Sequence, residues 1–389
     1  MAPSSSSAYL TDPRRELQAR ARRFAMTEVL PVADALDPLR EDIPDELVAL
    51  LAAEGYFGIR IPREHGGLGL GVLEYALVTE ELARAWMSVP SLLARGNGMG
   101  CDVSDPARRA ELLARSARGE WIGAFSGSEP DAGSDLAAIA CRAERAGDGW
   151  VINGEKRWTG NAVRAHFILL LARTADPAGG EHPAAGITAF LAEKEPGTLP
   201  AGVTATPIDK IGYHGITTYQ LQIDGLRLPA DAELPGDAFK QTVHALNVAR
   251  VHTAARAVGV ARGALEDSRD HLQERQQFGR PLAGFQALRF ELASMAADIE
   301  AARALTRQAA HALDAGDTTA TLPAMAKLVA TEMAVRVTNQ AMQLHGGNGY
   351  TTERRVERYW RDARLTTIFE GTSEIQRTLI ADDLLGRMR

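Results

Sequence analysis

The stretch Thr366-Thr367-Ile368-Phe369-Glu370-Gly371-Thr372-Ser373-Glu374-Ile375-Gln376-Arg377 lies near the end of the chain. One carboxylate, Glu370, follows the apolar pair Ile368-Phe369 and is followed at once by a glycine. Apolar surroundings disfavour an ionised carboxylate and raise its proton affinity. Such a group suits a general base that takes a proton from carbon. Read alone, the pattern is weak, because a glutamate on an amphipathic helix is usually just solvated. Its meaning depends on segments far upstream.

Outward from this stretch, the texture is helical from about Asp237 onward. One long helix runs through Leu246, Val251 and Val258 toward Leu272, and others span roughly Phe285 to Ala315 and Leu322 to Leu344. A last helix lies near the C-terminus. Long amphipathic helices with short connections predict a bundle. The middle, from about Ile122 to Pro235, has strand texture. Trp150-Val151-Ile152 and Lys156-Arg157-Trp158 flank Asn153-Gly154, which predicts a hairpin. Phe167 to Leu171 suits a buried strand. Tyr219, Leu221 and Ile223 alternate with Gln220, Gln222 and Asp224, as in a strand with one wet face. Several short strands predict a small barrel or sandwich. From Asp12 to Trp121 the periodicity is helical again: Leu17, Phe24 and Val29, then Leu47, Leu50 and Leu51. A helix from Val72 to Trp86 follows the glycine-rich turn Gly66 to Gly71. The expected fold class is α+β and multidomain. It has a tail over 1–11, a helical domain over 12–121, a barrel-like β domain over 122–236 and a four-helix bundle over 237–389.

The 389 residues suffice for a large core and for two or three domains. Hydrophobic residues make up 45% and charged residues 24%, the balance of a soluble globular protein. A net charge of -7 argues against a nucleic-acid partner. No apolar run is long enough to span a bilayer. Met1 to Tyr9 is Ser-rich, lacks the form of a secretory signal and reads as a frayed tail. Cys101 and Cys141 have no metal-ligand spacing and read as free thiols in a reducing cytosol, so the expected location is cytoplasmic.

Several chemistries are unsupported. No G-x-G-x-x-G, Walker A loop, H-E-x-x-H helix or G-x-S-x-G elbow occurs. The nine histidines are scattered, and no metal site is expected. Four segments remain. Ala124 to Asp135 is dense in turn formers and small hydroxyls. It reads as a surface turn or as a loop whose N–H groups and hydroxyls contact a polar ring or phosphate. In Lys156-Arg157-Trp158-Thr159-Gly160-Asn161 the indole is either core or the cover of a flat cofactor. Glu274-Arg275-Gln276-Gln277-Phe278-Gly279 is followed by Phe285-Gln286. In Gln343-Leu344-His345-Gly346-Gly347-Asn348-Gly349-Tyr350 the glycines would let backbone approach a phosphate.

In this order, together with Phe369-Glu370-Gly371-Thr372, these segments resemble the acyl-CoA dehydrogenase flavoproteins. The resemblance extends to Ile61-Pro62-Arg63-Glu64-His65-Gly66-Gly67-Leu68-Gly69 and Glu80-Glu81-Leu82-Ala83-Arg84, and so covers nearly the whole chain. It implies bound FAD, an acyl thioester such as acyl-CoA as substrate, electron-transferring flavoprotein as acceptor, a role in fatty acid metabolism and a homotetramer, with a dimer as the alternative. It implies that Phe125, Gly127, Ser128, Gly133 and Ser134 line the flavin and the substrate channel. Trp158 would cover the ring beside Thr159 and Gly160. Arg275 and Phe278 would reach a neighbouring subunit's FAD, whose ADP part Gln286, Gln343, Gly346 and Gly347 would hold. Thr372 and Glu374 would lie on the adenosine side. Glu370 would take the α-proton, with Arg250 beside it, and Ser134, Asn247, Arg250 and Gly371 would contact the substrate. Ala249 stands where some members carry the base, which leaves Glu370 as the candidate.

Two positions depart from the family's pattern. Gly160 replaces a Thr or Ser whose hydroxyl bonds the flavin, as in related oxidases, so oxygen is an alternative acceptor. Asp382 replaces an arginine that helps bind CoA, so a carrier-protein-bound acyl group in a biosynthetic pathway is an alternative substrate.

Overall fold

The protein, described over residues 9–386 of a computed structural model, begins with helices. In α1 (Asp12–Phe24) a proline sits in the first turn, and Gln18, Ala21 and Phe24 face inward. A π-turn over Ala25–Val29 continues into α2 (Leu30–Leu36). α3 (Asp45–Ala53) buries Leu47 and Leu51 and leaves Leu50 outside. The glycine-rich turn leads into α4 (Val72–Ala85), which is buried along nearly its whole length. α5 (Ser88–Leu93) follows, then α6 (Pro106–Ala117), whose Asp105 cap accepts a bond from the Ala107 N–H at 3.0 Å. Residues 1–8 of the expected tail lie outside the described residues, and Leu10 within it is buried.

The middle is a curled sheet of β1 (Gly123–Ser126), β2 (Arg142–Ala146), β3 (Gly149–Gly160), β4 (Phe167–Arg173), β5 (Ile187–Glu193), β6 (Val203–Pro207) and β7 (Thr218–Pro229). Their order is β1-β4-β2-β3-β7-β6, with β5 on β4. Leu221 and Ile223 of β7 face inward, as the alternation predicts. The expected hairpin at Asn153-Gly154 is corrected. β3 runs straight through both residues, and its register against β7 shifts there. The turn comes earlier, at Gly147-Asp148, where Ala146 pairs with Gly149. Gly154, with φ +146°, is required by a close approach instead: a Cβ there would lie 2.8 Å from Cys141 Cα.

The C-terminal half contains α7 (Ala238–Glu274), the short ribbon β8 (Gln276–Gln277) with β9 (Arg280–Pro281), α8 (Gln286–Asp314), α9 (Thr321–His345), α10 (Val356–Thr366) and α11 (Ser373–Leu385). α7, α8 and α9 pack on one another, and α10 and α11 pack on α9. Two helices, α10 and α11, stand where the periodicity predicts a single last helix. Cys101 and Cys141 are free and buried, and burial pushes their thiols up to about 12 and about 11.

Helices from both ends of the chain share a single core, in which Phe57, Leu82 and Trp86 meet Val258, Met333 and Val337. A second core fills the sheet around Trp150, Ile152, Phe190 and Leu221. Three contacts fix α4 against the C-terminal helices. Asp314 caps α4 from the end of α8, accepting from the Val72 and Leu73 N–H groups at 2.6 and 3.0 Å. The buried Glu80 pairs with Arg262 of α7 at 2.9 Å and with Arg303 of α8 at 3.1 Å. At Gly259 a Cβ would lie 2.3 Å from the Glu80 carbonyl oxygen, so α7 can approach α4 this closely only with glycine. Gly259→Ala is expected to force the two helices apart and cost about 1–3 kcal/mol. A lowered Tm by circular dichroism checks this.

Candidate active site

Glu370 sits in the turn between α10 and α11. Its φ is +55° and that of Gly371 is +87°. Left-handed backbone at a non-glycine residue costs about 1–2 kcal/mol and persists where its surroundings over-determine it. Here the Gly371 carbonyl accepts from Lys327 Nζ at 2.7 Å and from Gln376 Nε2 at 2.8 Å. Both donors are fully buried. Thr372 caps α11, its hydroxyl accepting from the Ile375 N–H at 3.3 Å. Phe369 packs edge-on against Tyr213, with ring centroids 5.8 Å apart. The turn holds the Glu370 side chain half-buried, and its own N–H has no acceptor among the described residues.

The surroundings of Glu370 are cationic as well as apolar. Arg250, on α7, is 4% exposed and donates through Nη1 to Asn247 Oδ1 at 2.6 Å. Asn247 in turn donates to the Thr318 carbonyl at 3.2 Å. Burial pushes the Arg250 guanidinium down, and the Glu370 carboxylate pulls it back up. Burial pushes the Lys327 ammonium down to about 8, and Glu370 again opposes the shift. Arg256 lies one and a half turns beyond Arg250 on α7, its guanidinium 4.4 Å above the Phe369 ring.

A second wall comes from the sheet. Lys156, fully buried on β3, donates to the Gly127 carbonyl at 3.0 Å and to Glu129 Oε1 at 2.7 Å. Glu129 also accepts from the Ala140 and Cys141 N–H groups at 2.6 and 2.9 Å. This buried pair anchors the loop after β1 to β3. Phe125 is exposed, Gly127 is buried, Ser128 is half-buried, and Gly133 and Ser134 are exposed. Trp158 has φ +67° and is 56% exposed, with the Arg157 guanidinium 4.8 Å from its ring. An outward indole on strained backbone, beside a loop of hydroxyls and free backbone, fits a flat polar ring such as a flavin. Thr159 differs from expectation. It is fully buried, and its hydroxyl shares a 2.9 Å hydrogen bond with Ser126 Oγ, so only its backbone can face a ligand.

Gly160 is accounted for by Arg95. A Cβ at Gly160 would lie 2.4 Å from Arg95 Nη2, so the guanidinium occupies the space of the missing side chain. Thr372 and Glu374 line an open cleft of about 400 Å³ together with Arg336, Arg364 and Ile368. Arg275, Phe278, Gln286, Gln343, Gly346 and Gly347 form a separate, exposed group at the other end of the bundle. There the His271 and His345 rings stack at 4.3 Å, bringing the C-terminal ends of α7 and α9 together. Along α9, Gln343 is about 24 Å from Lys327 at the rise of an α-helix.

The family model for the N-terminal domain of acyl-CoA dehydrogenases matches residues 11–120, that for the middle domain 124–226, and that for the C-terminal domain 236–385. The chain belongs to the acyl-CoA dehydrogenase family. It is an FAD-dependent oxidoreductase, and acyl-CoA dehydrogenation is its general chemistry. A (2S)-methylsuccinyl-CoA dehydrogenase of Cereibacter sphaeroides is 40% identical over 94% of this chain and 68% of its own. The butyryl-CoA dehydrogenase of Megasphaera elsdenii superposes with a TM-score of 0.90 at 33% identity, covering 98% of this chain and 100% of its own. A glutaryl-CoA dehydrogenase of Mycobacterium smegmatis, solved in complex with FADH2, gives 0.91 at 27% identity, covering 99% and 97%. Among the described residues no helix is long and apolar enough to cross a membrane.

Sequence reasoning missed Arg95, Arg256 and Lys327. Charged residues in helical segments read as solvent-facing, and the signal was their place on otherwise apolar stretches. Lys156→Met, which strands Glu129 in the interior, is expected to cost about 3–5 kcal/mol. It should also loosen the 127–134 loop, read as a lower Tm and as flavin lost on gel filtration.

Proposed function

We propose that Glu370 removes the α-proton of an acyl-CoA and that a hydride leaves Cβ, giving a 2-enoyl-CoA. The observation that carries this is the strained turn that presents the Glu370 carboxylate and an unpaired Glu370 N–H together. The N–H is the donor we assign to the thioester oxygen, where negative charge develops as the α-proton leaves. When bound, FAD supplies the acceptor for the hydride. Trp158, Phe125, Gly127 and Ser128 would hold its ring, with Gly133 and Ser134 nearer the substrate channel. Arg250 and Asn247 would position the acyl thioester beside the base. Thr372 and Glu374 would contact the adenosine side.

The group at Arg275, Phe278, Gln286, Gln343, Gly346 and Gly347 is too far along α9 to serve the same flavin site. We assign it to a cofactor shared with a second protomer, as a homotetramer or dimer would require. Electron-transferring flavoprotein is the acceptor we assign. Gly160 gives little support to an oxidase, because Arg95 fills the space the glycine leaves. The division into 12–121, 122–236 and 237–389 is kept as the functional division, although the outer two segments share a core.

Glu370→Gln is expected to keep the flavin absorbance and lose more than about 10³-fold in turnover, because the base carries the proton-transfer step. Substantial residual bleaching of the flavin by an acyl-CoA would remove Glu370 from the role. A second expectation concerns pH. Protonated Lys327 clamps the Gly371 carbonyl, and its ammonium is pushed down to about 8. Above that pH it is neutral and the clamp weakens, so kcat should fall on an alkaline limb near 8. The limb should be missing from the kcat profile of Lys327→Gln.

A further inference from the structure

Two guanidinium groups converge on Ser91 of α5. Arg256 donates through Nη1 to Ser91 Oγ at 2.6 Å and through Nη2 to Thr253 Oγ1 at 2.7 Å. Arg95 donates through Nη1 to the Ser91 carbonyl at 2.6 Å and through Nε to the Gly160 carbonyl at 3.4 Å. Every one of these acceptors is neutral. Arg256 is 2% exposed, and its Nε has no partner. Arg95 Nη2 likewise donates to no group among the described residues. Burial and the neighbouring Arg95 both push the Arg256 guanidinium down. Arg256 is buried and Arg95 half-buried beside it, and like charges placed together with so little water are costly unless an anion joins them. The carboxylate that faces Arg256 is Glu370, which also faces Arg250 and Lys327 and is needed for the α-proton.

The position of the pair is informative. Arg95 reaches the Gly160 carbonyl, at the end of the strand that presents Trp158. Arg256 stacks on Phe369, the residue before the base. The pair therefore stands between the two walls that would enclose an acyl chain, close to its reacting carbons.

We propose that the acyl group carries a second carboxylate, as a short dicarboxylyl thioester, and that Arg95 and Arg256 bind that carboxylate. This rests on the acyl-CoA dehydrogenation reading and names its substrate class. Each guanidinium keeps one N–H direction unused, and a carboxylate offers two oxygens to meet them. Gly160 suits the same arrangement, because a Cβ there would lie 2.4 Å from Arg95 Nη2 and would displace the guanidinium. A methyl-ended acyl chain would leave both charges desolvated without a partner, and sites built this way reject such analogues strongly.

The test uses the FAD-loaded enzyme under anaerobiosis, with thioesters that differ only by carboxylate against methyl. The pairs are methylsuccinyl-CoA with 2-methylbutyryl-CoA, and glutaryl-CoA with valeryl-CoA. Flavin bleaching and kcat/KM with an artificial acceptor are read for each. The carboxylate member of at least one pair should be favoured by about 100-fold or more. Arg256→Gln and Arg95→Gln should each lower that ratio by about 100-fold, and Arg256→Lys should recover part of it. Methyl members used as well as or better than their partners would overturn the carboxylate assignment and leave the dehydrogenase reading standing. A ratio unchanged in a flavin-loaded Arg256→Gln protein would overturn it too. Bleaching by no thioester would overturn both readings. The wild-type ratio decides the matter even if a variant does not fold.

Discussion

The close approach of α4 to α7 is the constraint on which the rest of the molecule depends. It needs a glycine at 259, and it brings the buried Glu80 within reach of Arg262 and Arg303. Glu81 adds a further bond to Arg262 and accepts from Gln18 of α1 at 2.8 Å. Buried charges of this kind contribute little net stability compared with apolar packing, but removing one partner is expensive. They therefore define one way for the two sets of helices to meet. α7 carries Asn247, Arg250 and Arg256, so the register of this contact also sets where those side chains stand relative to Glu370.

The site concentrates backbone strain. Trp158 and Glu370 both take positive φ, and each belongs to a segment that resembles the acyl-CoA dehydrogenases. The strain at Glu370 is held by two donors on one carbonyl, while that at Trp158 lies just beyond the buried Lys156–Glu129 pair. In both places a fully buried cation fixes a backbone oxygen next to the functional residue. The chemistry sits on turns, and the rigidity of those turns comes from charges beneath them.

Much of this was legible in the sequence. Two changes of periodicity separate helical, strand and helical textures, and α8 and α9 lie within a residue or two of their expected ends. The candidate base is legible only in company with the upstream segments, because one carboxylate beside Ile368 and Phe369 also fits a solvated helix position. The misreadings have physical causes. Asn153-Gly154 carries the signature of a tight turn, but the glycine is required by Cys141, just before the neighbouring strand, a contact that local pattern does not encode. Gly160 looked like a simple loss of a hydroxyl, whereas its space is filled by Arg95 from a segment sixty-five residues earlier in the chain. Arg256 and Lys327 occupy helix positions that periodicity cannot assign to solvent or interior, because their burial depends on helices that pack late in the chain. A shared core between the two ends was likewise invisible, since texture divides a chain only along its length.

That shared core bears on how the protein is made. The N-terminal helices leave the ribosome first, yet the surface they must cover, on α7 and α9, is synthesised after the whole sheet. The cap on α4 also comes from beyond the sheet, from Asp314 at the end of α8. The sheet has its own interior and can close while the chain is still growing, whereas α1 and α4 must hold apolar faces unsatisfied until then. Contacts this distant in sequence slow folding and lengthen the time during which a sticky intermediate exists. A long wait for partners is thus written into the topology, as the cost of building one helical body from the two ends of a single chain.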